Sequence, residues 1–243
     1  MNILLTNDDG VDSPGLLLLA EALRKRGGDR VLVMAPDQDR SGVSDSISCL
    51  KNPLRVRARG PDTWSCSGTP ADCVLLSFWG GLPAKPDLVI SGINRGANLG
   101  NDLVYSGTAA AARQAGILGI PAVALSLAGR KEFFWDMAVS FSLARLEEFR
   151  RLWKSGTFVN VNIPNLPEGP AGTAAAFPSR RPYDDRIRDF TAPDGDRWYF
   201  IDPGENDAAS EAGSDRDRIA RNLASVSVIH AWPVNDDAVR GSM

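Results

Sequence analysis

Residues 2–36 read NILLTNDDGVDSPGLLLLAEALRKRGGDRVLVMAP, and the fold is decided in this stretch. Asn2–Thr6 is a short apolar run that breaks into the turn-rich Asn7-Asp8-Asp9-Gly10. Ser13 is then placed to cap a helix and Pro14 suits its first turn. Residues 16–26 are strong helix formers until Gly27-Gly28 stops them. Residues 30–35 return to an apolar strand centred on Val31-Leu32-Val33-Met34. Strand, helix and strand in that order form a βαβ unit, which almost always winds right-handed into a parallel sheet. The expected class is therefore α/β, a Rossmann-like and mostly parallel sheet flanked by helices.

The same alternation continues outward. Asp87-Leu88-Val89-Ile90-Ser91 reads as a buried strand, residues 107–118 as a helix and residues 121–126 as another strand. In residues 133–153, Phe134, Met137, Phe141, Leu143, Leu146 and Phe149 fall near helical spacing and read as core packing. Residues 158–163 alternate like a strand, and residues 47–66 suggest a hairpin excursion turning at Gly60-Pro61. From Pro164 to Asp217 the chain is rich in Pro, Gly, Asp and Arg. The expected division is a core over residues 1–165 carrying the site, with a smaller, irregular C-terminal extension over residues 166–243 serving oligomerisation.

Composition narrows the function. With 243 residues, one sizeable core is the simplest organisation, and 43% hydrophobic content argues against global disorder. A net charge of −3 without a basic block disfavours a nucleic-acid polymer as partner. Cys49, Cys66 and Cys73 are an odd number without C-x-x-C spacing, so they read as core thiols rather than a zinc site or disulfide framework. Asp8 comes too soon for a signal peptide, and no apolar run approaches the roughly 18 residues of a membrane span. Cytoplasmic residence, away from membranes, is the expectation. The single histidine, His230, sits in an apolar run and reads as packed or interfacial, which leaves a histidine triad poorly supported. No G-x-x-x-x-G-K-[ST] sequence occurs, which disfavours a P-loop.

In open parallel sheets, ligands bind at the carboxyl ends of the strands. Three polar clusters occupy such ends: residues 7–10, 37–44 and 91–101. The adjacent carboxylates of Asp8 and Asp9 put negative charge into one small volume, which Mg²⁺ or Mn²⁺ compensates well through hard oxygen ligands. Alone, the pair also reads as an ordinary turn. Ser41 offers a hydroxyl in a loop that also reads as cap chemistry. In the third cluster glycines let backbone amides approach an oxyanion, and Asn94 and Asn98 offer a carbonyl ligand and an amide donor. Tyr105-Ser106-Gly107-Thr108 opens the next helix, where free N–H groups and hydroxyls make either an anion site or a simple N-cap. Ser67-Gly68-Thr69-Pro70 resembles this start but reads as plain capping.

Four of these motifs occur in one order: Asn7-Asp8-Asp9-Gly10; Ala35-Pro36-Asp37 followed by Arg40-Ser41-Gly42; Ser91-Gly92-Ile93-Asn94; and Tyr105-Ser106-Gly107-Thr108. Together they resemble the SurE family, the stationary-phase survival nucleotidases, closely over residues 1–127 and loosely beyond Pro164. The resemblance implies a Rossmann-like core in which Asp8, Asp9, Ser41 and Asn94 ligate one divalent cation, Mg²⁺ or Mn²⁺. It also implies that Asn98, Ser106, Gly107 and Thr108 hold phosphate, and that the chains form homodimers or homotetramers. Gln114-Ala115 stands where the family commonly has Glu-Gly, and Ser67 replaces a frequent Asp.

The activity expected from this resemblance is hydrolysis of nucleoside 5′- and 3′-monophosphates by metal-activated water, Asp8 and Asp9 forming the catalytic centre. An aspartate nucleophile is the mechanistic alternative. A hydrolase of another substrate on the same core, or a nucleotide-binding regulator without turnover, are the functional ones.

Overall fold

The computed structural model describes residues 1–48, 52–180, 185–202 and 210–233, so Cys49 lies outside the described residues. In it β1 (Asn2–Thr6), α1 (Pro14–Arg26) and β2 (Arg30–Pro36) form the expected βαβ unit, with β1 and β2 parallel. The hairpin β3 (Val56–Gly60) and β4 (Thr63–Cys66) leads into α2 (Pro70–Phe78) and β5 (Leu88–Arg95). A short α3 (Asp102–Tyr105) precedes α4 (Gly107–Ile117), β6 (Ala122–Ala128), α5 (Trp135–Leu152) and β7 (Thr157–Pro164). The remainder holds β8 (Thr173–Ala175), β9 (Arg186–Thr191), β10 (Arg197–Asp202), α6 (Asp215–Ala220) and β11 (Ala224–His230).

Nine strands form one sheet in the order β3-β4-β2-β1-β5-β6-β7-β11-β8. Period-two alternation splits the central strands between two cores. Ile3, Leu5, Val31, Val33, Ile90, Leu125 and Val161 face α1 and α5, and Leu4, Leu32, Met34, Val89, Ala124 and Phe158 face α2 and α4. With both faces covered, the strands read as continuous apolar runs, as the sequence does.

Two findings depart from the expected layout. First, the hairpin expected within residues 47–66, formed by β3 and β4, is part of the main sheet, because β4 pairs in parallel with β2. Second, the stretch after residue 165 adds strands to the same sheet: β11 returns antiparallel to β7, and β8 pairs beside it. Only β9 and β10 stand apart, as a two-stranded antiparallel ribbon. His230 ends β11 exposed rather than packed, while Cys66 and Cys73 are fully buried thiols. Among the described residues, no helix is long and apolar enough to cross a membrane.

The order of crossovers positions the site. The step from β1 to β2 moves toward the β3 edge, whereas the chain re-enters at β5 on the other side of β1 and moves toward β6. The loops leaving β1 and β5 therefore diverge, and the crevice of an open α/β sheet lies between them. From β6 to β7 the chain keeps moving away from β1, yet α5 shares a face with α1. This crossover has the opposite hand to β1-α1-β2 and is a rare left-handed one. Its consequence is local: Trp135, opening α5, packs at the start of α1, where a Cβ on Gly15 would come within 2.8 Å of the Trp135 ring.

Candidate functional site

Asp8 and Asp9 follow β1 directly, in a loop made rigid from below. The buried Asn7 side chain donates to the Gly10 carbonyl at 2.9 Å and to Ser13 Oγ at 2.6 Å. Ser13 occupies the N-cap position of α1 but makes no side-chain cap, because its hydroxyl is turned to Asn7. Gly10 has φ of +100°, and a Cβ there would lie 3.3 Å from the Gln38 backbone, so the loops after β1 and β2 touch. The Arg40 N–H then donates to the Asp8 carbonyl at 2.7 Å, which ties the loop carrying Ser41 to the aspartate pair. Ser41 is exposed, and its hydroxyl donates to Asp39 at 2.6 Å.

The β5 side is built by a bulge. Pairing with β6 shifts register between Ser91 and Asn94, and a Cβ on Gly92 would sit 2.3 Å from the Leu125 carbonyl oxygen. Only glycine allows that approach, and the irregularity re-aims the strand end toward β1. The Arg95 N–H donates to Asp9 Oδ2 at 3.0 Å, placing Asn94 beside the pair. Asn94 commits its amide nitrogen to the Gly96 carbonyl, which leaves Oδ1 as its open ligand atom. Strand β5 thus runs to Arg95, and Asn94 stands on its end rather than in a loop.

Helix α4 closes the third side. The Thr108 hydroxyl donates to Asp8 Oδ1, and a Cβ on Gly107 would lie 2.8 Å from the Asp8 Cβ. The N-terminus of α4 therefore rests directly on the first aspartate. Ser106 is its N-cap, with Oγ accepting the Ala109 N–H at 3.0 Å, so the capping role anticipated for this hydroxyl is real. At the parallel position before α2, Thr69 and Asp72 form a complete capping box.

Electrostatics single out the pair. Burial, assisted by the charge of Asp9, raises the Asp8 carboxyl from its ordinary 3.8 to about 6, against the opposing hydrogen bonds of Thr108. Burial also raises Asp9, and Asp39 adds to the effect, while the Arg95 N–H opposes it. Among the described residues neither carboxylate has a salt bridge. Two adjacent carboxylates pushed toward protonation, with the segments that carry the neutral oxygens of Ser41 and Asn94 tied to them, fit a hard divalent cation. No cluster of three or more His, Cys, Asp or Glu exists among the described residues, so a cation here draws on the carboxylate pair and neutral oxygens. Alongside Asp9 opens a cleft of ≈ 400 Å³ lined by Asp12, Asp37, Asp39, Arg95 and Trp135.

Asn98 is 7% exposed and is held from the opposite side. Its N–H donates to Asn162 Oδ1 at 2.7 Å, and its carbonyl accepts from both Asn160 and Asn162 of β7. Its own amide donates to Ser126 Oγ at 2.8 Å, leaving a second amide hydrogen. The Gly100 N–H binds Asp215 Oδ2 at 2.7 Å. The partners Asn160, Asn162, Ser126 and Asp215 were not anticipated from sequence. Two asparagines alternating with valine in an otherwise buried strand were the available signal.

The family model described as Survival protein SurE matches residues 3–185. A protein named 5′-nucleotidase SurE from Geobacter metallireducens is 41% identical over 235 residues, covering 95% of this chain and 91% of its own. Its namesake from Geotalea daltonii is 41% identical over 242 residues, covering 98% and 96%. The crystal structure of the SurE protein from Aquifex aeolicus superimposes with a TM-score of 0.86 at 36% identity, covering 100% of this chain and 98% of the other. The likeness runs well past residue 127 and includes the C-terminal third that the motifs leave out. With sequence and structure agreeing along nearly its whole length, the chain belongs to the SurE family.

Proposed function

We propose that this chain is a divalent-metal-dependent phosphomonoesterase that hydrolyses nucleoside 5′- and 3′-monophosphates to nucleoside and phosphate. The observation that carries the proposal is the contact of Asp8 with Gly107 and Thr108, which joins a carboxylate pair to a helix N-terminus. One half suits a cation and the other an anion. The names of the relatives support a nucleotide as substrate.

Asp8, Asp9, Ser41 and Asn94 would hold one Mg²⁺ or Mn²⁺. When bound, such a cation neutralises phosphoryl charge and activates water for in-line attack. The chain's own residues do the rest. Gly107, lacking a side chain, lets the positive end of α4 approach a phosphoryl oxygen, and Ser106 and Thr108 add hydroxyls there. Asn98 supplies its second amide hydrogen to the same group. Thr108 also orients Asp8 by donating to it, and with 4% exposure Asp8 is poorly placed to attack phosphorus itself.

We also place the protein in the cytoplasm, where the free thiols of Cys66 and Cys73 are stable. We assign it a homodimeric or homotetrameric assembly through the β9–β10 ribbon, whose Ile187, Phe190, Trp198, Tyr199, Phe200 and Ile201 are all at least half exposed.

Phosphate release from mononucleotides and from a generic phosphomonoester tests the activity, with Mg²⁺, Mn²⁺ or a chelator. Turnover restored by metal and lost in Asp9→Asn is the expected result. Metal-independent turnover, or an unimpaired Asp9→Asn variant, refutes the mechanism. Activity confined to substrates other than phosphate esters refutes the assignment.

A further inference from the structure

We infer that Asp215, in the C-terminal third of the chain, is a positioning residue for the phosphate-binding turn at residues 98–101. This inference rests on the phosphatase reading above. The carboxylate of Asp215 is completely buried at the start of α6. Oδ2 accepts the N–H of Gly100 at 2.7 Å, and Oδ1 accepts the N–H of Ser179 at 3.0 Å and of Arg216 at 2.8 Å. One side chain thus joins three segments far apart in sequence: the loop after β5, the stretch after β8 and the first turn of α6. A buried carboxylate bound to backbone amides is a strong and directional anchor.

The loop has no slack at this point. Gly100 has φ of +55°, and a Cβ there would fall 2.3 Å from the Ser179 carbonyl oxygen, so the loop packs hard against the segment that Asp215 also grips. Two residues earlier, β7 holds both backbone groups of Asn98 through Asn162, at 2.7 and 3.0 Å. Asn98 is therefore clamped from below by β7 and its loop from the side by Asp215. The carboxylate pair is built separately: Asn7, Arg40, Arg95 and Thr108 hold it, and among the described residues none of them hydrogen-bonds to Asp215. Loosening the Asp215 anchor should therefore shift the phosphate group while leaving the cation site in place. The C-terminal third then shapes the site directly, in addition to any role in assembly.

Two variants test this on the full chain, Asp215→Asn and Gly100→Ala. The first turns one acceptor into a donor facing an N–H, and the second forces the loop away from Ser179 with Asp215 intact. Each is read by kcat with a mononucleotide and Mn²⁺, by the inhibition constant of orthophosphate, and by the Mn²⁺ concentration giving half-maximal rate. Expected are a fall in kcat of about 100-fold, the scale of an ångström misplacement, and weaker orthophosphate inhibition of at least about 10-fold. Half-saturating Mn²⁺ should stay within about twofold, and Asp215→Glu should recover part of the loss. A folded variant with wild-type kcat and orthophosphate inhibition overturns the inference, as does one in which Mn²⁺ affinity falls in step with kcat. Should Asp215→Asn not fold, Gly100→Ala decides by the same criteria. A wild-type protein without metal-dependent phosphate release would remove the phosphatase reading itself, a separate outcome.

Discussion

Replacing Asp8 by Asn should stabilise the metal-free protein while abolishing its activity. Asp8 is 4% exposed, and burial raises its carboxyl from 3.8 to about 6. Its folded pKa lies above its unfolded one, so the folded state holds the proton more tightly and stability falls as pH rises from about 4 through 6. At about 1.4 kcal/mol per pH unit, the ionised carboxylate costs about 3 kcal/mol at pH 8 and about 1 kcal/mol at pH 4.5. Asn retains an oxygen for the Thr108 hydroxyl and carries no charge. In chelator at pH 8, Asp8→Asn should therefore gain about 2–3 kcal/mol in urea unfolding, and most of the gain should vanish at pH 4.5. Mn²⁺ at about 1,000 times its Kd should reverse the ranking, since it adds about 4.1 kcal/mol to a protein that binds it. Equal stability of the two proteins at pH 8, or a difference independent of pH, would refute the electrostatic account of the pair.

Three further outcomes follow from the same geometry. Gly107→Ala places a methyl 2.8 Å from the Asp8 Cβ and should lower kcat by about 100-fold in a protein that remains folded by circular dichroism. Because Asp8 and Asp9 must ionise to take up a cation, half-saturating Mn²⁺ should rise as pH falls below about 6, by roughly tenfold per pH unit for each proton displaced. Trp198→Glu with Phe200→Glu on the exposed ribbon should yield a monomer by light scattering, with a dimer or tetramer expected of the unaltered chain.

How far the sequence spoke for the fold depended on range. The β1-α1-β2 unit was legible because its signals are local: apolar runs, Pro14 at the helix start and Gly27 at its end. The antiparallel return of β11 beside β7 was not, since Ala224–His230 pairs with residues about seventy positions away and nothing within it names that partner. The hand of the β6-α5-β7 crossover was hidden for the same reason. At the site, Asp8, Asp9 and the opening of α4 were readable as carboxylate pair and helix start, with Ser106 serving as the cap that composition alone also allowed. Asp215 was invisible, because an aspartate in a Gly- and Asp-rich stretch looks like surface until Gly100 and Ser179 are seen to surround it. Asn160 and Asn162 are polar residues in a buried strand, yet their partner, the backbone of Asn98, carries no sequence signal.

Paramagnetic relaxation of orthophosphate ³¹P by Mn²⁺ on the protein tests most directly the proposed meeting of cation and phosphate at Asp8 and Asp9. Strong relaxation enhancement that requires both protein and Mn²⁺, and that disappears in Asp9→Asn, is the predicted result. Enhancement no greater than that of Mn²⁺ in buffer, or enhancement that persists unchanged in Asp9→Asn, would contradict it.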